Sequence, residues 1–381
     1  MSIRISPVLL VAVVVLSVGR SSAHAQSETS PGNGRALNLT VGTVGLSIGD
    51  SERTTGLRLN YRDRRLVRAI GVNATIWRPH DASRGRVTGL ALGLPLTGAE
   101  TIRGMGAGAG LVVEGSLAGV AVAPLGLGTG EDLSGVSVAG LGLGSGDRLR
   151  GIAVGGVGVG AGDRATGVLV SVGGVGAGGT LRGVGVAGLG LGAGGDATGL
   201  FVGGVGAGAG GSVTGILVGG IGAGVGGDAT GILASSLGVG AGGSARGVFV
   251  SGVGVGAGGD LSGVAVSPGG VGAGGRLQGL IVAGLGAAGS EIRGVTLAGG
   301  GVGGQHVTGV TATGGYMRVE NGHLRGMSVA AYNDVRGHQH GLTIGLYNYA
   351  RRLHGVQVGL LNVARNNPPG LRLLPVINVN L

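Results

Sequence analysis

Histidines gather late in the chain, at His306, His323, His338, His340 and His354, and the run "GHQHG" puts His338 and His340 two residues apart. On a strand that spacing places both imidazoles on one face. A metal site needs at least a third donor, and Asp334 is the one obvious carboxylate nearby in sequence. The histidines are therefore read as surface residues, and no metal is assigned. The segment "GAGGDATG" belongs to a series of turns at Asp196, Ser212, Asp228, Ser244 and Asp260. Calcium wants six to eight oxygens from successive turns, whereas here carboxylates alternate with hydroxyls, so these side chains are expected to satisfy turn backbone. Matches to G-x-G-x-x-G, as at Gly190, Gly192 and Gly195, recur by chance in a chain with 97 glycines among 381 residues. A Walker loop needs a lysine, and the sequence has none. No Ser-His-Asp set or carboxylate pair converges by spacing, so a non-catalytic protein without a cofactor is expected. Arg62, Arg64, Arg65 and Arg68 form a candidate patch for an anionic partner.

The elements that carry these residues follow from a repeat. Gly119, Gly135, Gly151, Gly167, Gly183, Gly199, Gly215, Gly231, Gly247, Gly263 and Gly279 recur with one constant period and no slip, and flanking units keep spacings of 14 to 17. A fixed period of this kind marks a repeat architecture. Numbered from that glycine, position 2 is Val, Ile or Leu and position 4 is almost always Val. Such alternation of β-branched residues predicts a short strand, with positions 2 and 4 facing the core. Positions 8, 10 and 12 are glycine, interleaved with Val, Leu or Ala, which predicts a second strand with one bare face. Polar residues at positions 13, 14 and 16 mark a solvent-facing turn. Two strands and two turns per unit predict an all-β, glycine-rich repeat array, a β-solenoid with 16-residue coils. The alternative is β-hairpin repeats closed into a shallow barrel or rosette. With positions 2 and 4 inward, position 3 points outward. It carries Leu169, Phe201, Leu217, Leu233, Phe249 and Ile281, so these six are the expected apolar interaction surface.

The rest of the chain divides around this array. Residues 1–25 have the layout of a cleaved signal peptide, 26–35 read as a linker, and 36–103 read as an arginine-rich N-terminal β cap. Residues 104–310 hold the glycine-rich repeats, and 311–381 hold divergent repeats and a C-terminal cap. The absence of cysteine excludes disulfides and a lipoprotein-type anchor. The net charge of +10 comes from arginine at the two ends: ten Arg against five acids in 36–103, and seven against two in 311–381. For an exported chain this favours anionic envelope polymers or lipid headgroups over nucleic acid.

Near the C-terminus the repeat shortens, to "GLTIGLYNYARRLH" from Gly341 and then "GVQVGLLNVARNNPPG" from Gly355, with Asn348 and Asn362 in the same place. Stacked asparagines in such a place are expected to form a side-chain hydrogen-bond ladder. This GLxIGLxNxA pattern resembles the surface-repeat proteins of bacterial envelopes, over about the last 40 residues. The resemblance implies an exported β-repeat protein of the periplasm, outer membrane or cell surface, and it carries no catalytic residue across. The expected function is a structural or adhesive envelope component that presents a long regular surface, with an envelope component, lipid or a second copy as partner. The alternative is a peripheral lipid-binding protein that uses an apolar stripe and its arginine-rich ends.

Overall fold

The computed structural model describes residues 26–28, 36–77 and 85–381. The expected leader and most of the expected linker lie outside the described residues. The chain forms two compact units, one ending at Ala177 and the other starting at Gly178. Every described regular element is a β-strand.

Each unit is a parallel β-solenoid. In the first, Leu133–Ala139 pairs in parallel with Leu117–Ala123 on one side and Arg148–Gly155 on the other. The register is glycine on glycine, with Gly135 beside Gly119 and Gly151. The shorter strand Gly142–Ser145 pairs the same way with Gly126–Thr129 and Gly158–Ala161. In the second unit Val213–Gly219 lies between Ala197–Gly203 and Ala229–Ser235 in the same parallel register. A hairpin rosette would need antiparallel neighbours, so parallel pairing one coil apart excludes it.

Antiparallel pairing is confined to the ends of the described chain. Ala36–Val41 turns at Gly42 and pairs antiparallel with Val44–Gly49, and parallel stacking starts there and runs on through Arg53–Arg62 and Arg68–Trp77. In the second unit Leu373–Asn380 folds back antiparallel on residues 355–363. Each hairpin covers a strand edge that would otherwise offer unpaired backbone groups.

The repeating glycine is a corner. In Gly135, Gly151, Gly215 and Gly231, φ lies between +115° and +127°, a region closed to residues with a Cβ. A Cβ on Gly231 would also sit 1.9 Å from the carbonyl oxygen of Gly215 in the preceding coil. Both constraints recur each coil, which is why the glycine never slips.

The faces of the first strand are reversed from the sequence expectation. Positions 3 and 5 point inward, together with 9, 11 and 15, whereas positions 2 and 4 point out. Leu169, Phe201, Leu217, Leu233, Phe249 and Ile281 are all 0–1% exposed. They form the core, and none belongs to an outer surface. The physical reason is volume. Position 3 faces position 9 across a thin interior, and their sizes offset one another: Phe201 and Leu217 share coils with Ala207 and Ala223, while Gly185 shares one with Leu191. A Cβ on Gly185 would lie 2.6 Å from Leu191 Cδ1 and 3.1 Å from Phe201 Cδ1. The uniform valine of position 4 reflects strand propensity on an outer face.

Candidate functional site

Three kinds of surface follow from this geometry. The first is apolar. In the first unit Val136, Val138, Ile152 and Val154 stand outward, and in the second so do Leu200, Ile216, Ile232, Val248 and Val250, all 36–45% exposed. Position 7 adds a more exposed row, with Leu141 and Val157 in the first unit and Leu189, Ile221 and Leu237 in the second. Because the coils stack in register, these side chains form straight ranks along each unit. The second surface is bare backbone. Glycines at positions 8 and 10, such as Gly222, Gly224, Gly238 and Gly240, have nothing within 4 Å of where a Cβ would be. In the second unit the position-10 glycines Gly224, Gly240 and Gly256 floor a trough of about 720 Å³ with Ala241 and Ala257.

The third surface is basic and lies in the first unit. Arg53, Arg68 and Arg86 stack in register on successive strands. With Arg103, Val67 and Thr88 they line a concavity of about 740 Å³. None of these four arginines has an acidic partner among the described residues. Of the residues marked in the sequence as an anionic-partner patch, Arg68 alone lines this hollow. Arg65 reaches Asp50 at 3.8 Å, Arg64 uses its backbone N–H to bind Asp50 at 3.1 Å, and Arg62 is engaged elsewhere.

Arg58 was not legible as special. It occupies core position 3 and is fully buried, where it donates to Asn73 Oδ1 at 2.9 Å and Asp50 Oδ1 at 3.2 Å and pairs with Asp63. Its Nε donates to Ser51, and the two carboxylates, Asp50 and Asp63, neutralise the guanidinium, which a buried charge requires. The signal available in the sequence was its place two residues after Gly56.

In the turns, the Asp and Ser of position 14 form a ladder as expected. Asp196 accepts from the Ser212 N–H at 2.8 Å, Ser212 Oγ from the Asp228 N–H at 3.3 Å, and Asp228 from the Ser244 N–H at 2.7 Å. The expected asparagine ladder is also present. Asn333 donates to Asn348 Oδ1 at 2.8 Å, and Asn348 donates to Asn362 Oδ1 at 2.7 Å, with all three side chains fully buried. Gly345 and Gly359 leave room for it, since a Cβ there would meet Asn333 Nδ2 at 2.9 Å and Asn348 Nδ2 at 2.6 Å. The spacing of Gly, Asn and Ala in GLxIGLxNxA is thus a packing rule.

Outside the same coils aromatic rings stack. Tyr316, Tyr332 and Tyr347 lie 5.1 and 4.6 Å apart between centroids. Partial burial and a hydrogen bond donated to Asp334 push the Tyr316 hydroxyl up to about 12. His306 and His323 approach with Nδ1 atoms 3.0 Å apart, and His340 stacks on His354 at 5.0 Å. No known protein-family model, curated protein or solved structure matches this chain.

Proposed function

We propose that this chain is an exported structural or adhesive repeat protein of a bacterial envelope, which works by associating through the outward ranks of positions 2, 4 and 7. The observation that carries the reading is the pattern of exposure along each unit. Large β-branched residues stand outward coil after coil, in ranks, beside backbone bare of side chains. Covering one such half-exposed residue removes roughly 60 Å² and contributes about 1.5 kcal/mol. Roughly ten of them match the upper part of the ~4–15 kcal/mol that association costs. A second copy presenting the same ranks supplies a flat apolar face of equal spacing.

The test substitutes the outer face and leaves the core alone. Ile216→Asp, Ile232→Asp and Val248→Asp together should leave the circular dichroism of the intact chain unchanged and abolish the concentration-dependent assembly seen by sedimentation velocity. A wild-type chain that stays monomeric throughout, or a triple variant that assembles equally well, would overturn the reading. The basic hollow of Arg53, Arg68, Arg86 and Arg103 favours the second reading, a peripheral lipid-binding protein. Pelleting with anionic vesicles, lost in the same triple variant, would select it.

A further inference from the structure

The shortening of the repeat near the C-terminus brings together what the sequence left apart. Gly341 and Gly355 stack as consecutive corners across the shortened coil, a Cβ on Gly355 lying 2.1 Å from Gly341 O. His340 and His354 each precede a corner glycine, so they fall on the same side of adjacent coils. His338 lies two residues before His340 on the same strand face. The third donor missing from "GHQHG" is therefore His354.

We propose that His338, His340 and His354 bind a divalent transition-metal ion of the zinc class. Each offers one ring nitrogen, and the three nitrogens lie within 4.8 Å of one another. Tetrahedral zinc with imidazole bonds of about 2.0–2.1 Å needs its donors about 3.3 Å apart. His340 and His354 are exposed and His338 is half-buried, so small side-chain rotations close that difference without moving the strands. Three imidazoles leave one position for water or a further ligand, as in open zinc sites. Arg352 Nη1 lies 3.3 Å from His338 Nε2 and must swing to solvent when that nitrogen binds. All-nitrogen donors suit zinc, copper and nickel, whereas magnesium and calcium demand oxygen.

Isothermal titration of the intact chain with zinc sulfate, and visible absorption with cobalt(II), test the site. The expected result is one saturable equivalent and a cobalt spectrum of tetrahedral type. Affinity should fall at least about tenfold in His354→Gln and in His340→Gln, with circular dichroism unchanged. His306→Gln with His323→Gln removes the neighbouring imidazole pair and should leave binding intact. Absence of saturable binding, or binding that survives His354→Gln, would overturn the proposal.

Discussion

Within the second unit the same parallel ladder is filled in two ways. In the glycine-rich coils, core position 3 holds Phe201, Leu217, Leu233, Phe249 and Ile281. Toward the C-terminus the same position holds Thr296, Thr311, Ser328, Thr343 and Gln357, all equally buried. Apolar filling is non-directional and allows size to be exchanged across the interior, as between Phe201 and Ala207. Polar filling demands partners: Gln357 donates to Gln339 Oε1 at 3.1 Å, and Gln339 donates to Thr343 Oγ1 at 3.1 Å. A slip of one residue would break these side-chain bonds and orphan the groups they satisfy, whereas a run of similar apolar coils distinguishes registers weakly. The first unit repeats the arrangement at its start, where Arg58 and Asn73 hold position 3. Coils near the chain ends therefore fix register, and the glycine-rich coils between supply burial.

Corner geometry is common to both fillings and is the most sensitive point. Gly231→Ala places a Cβ 1.9 Å from Gly215 O at a φ of +127°. We expect it to cost about 4 kcal/mol or more and to broaden the urea transition. Gly240→Ala, at a coil position in open space, should be neutral or stabilising by up to about 1 kcal/mol. Equal effects of the two would show that the corner carries no special constraint.

The two fillings should then part company under substitution. Phe201→Ala should cost roughly 3–5 kcal/mol, and Phe201→Leu, which keeps most of the volume, only about 1–2 kcal/mol. Asn348→Ala orphans groups on Asn333 and Asn362 and should cost about 2–3 kcal/mol. Asn348→Asp preserves the size but loses the donor and buries a charge, so it should be no milder than the alanine change. A mild Asn348→Asp, measured by urea midpoint, would erase the distinction between size and partner tolerance.

The repeat period, the coil, the inward Val and Ala between the glycines of the second strand, and the ladder of Asn348 with Asn362 were all legible, because each follows from spacing. The facing of the first strand was not. Valine at positions 2 and 4 satisfies strand propensity on either side, so alternation alone does not say which set is buried. The discriminating signal was the inverse variation of positions 3 and 9, Gly185 with Leu191 against Phe201 with Ala207. His354 went unread as a partner of His340 for another reason. Contact lies one coil away, and only the shortened local period converts that distance into adjacency. The basic hollow needs register across coils of unequal length, since the step from Arg53 to Arg68 is shorter than the step from Arg68 to Arg86.

The weakest expected effect tests the polar end by protonation. Burial first, and then His306, Arg325 and His340, hold His323 below the ordinary histidine range, with Glu291 acting in the opposite sense. A histidine whose folded pKa is depressed binds its proton less well in the folded state than in the unfolded chain. The unfolded chain therefore takes up more protons between the folded value and about 6.5, and stability rises with pH across that window. Acidification from neutrality should lower the urea midpoint slightly as pH passes below about 6.5, levelling once the folded His323 is also protonated. His323 is half-exposed, so solvent screening keeps the effect small. His323→Gln should flatten this part of the profile while Phe201→Leu leaves its shape unchanged. A profile insensitive to His323→Gln would place the titration elsewhere and remove His323 from the groups that tie the C-terminal coils to pH.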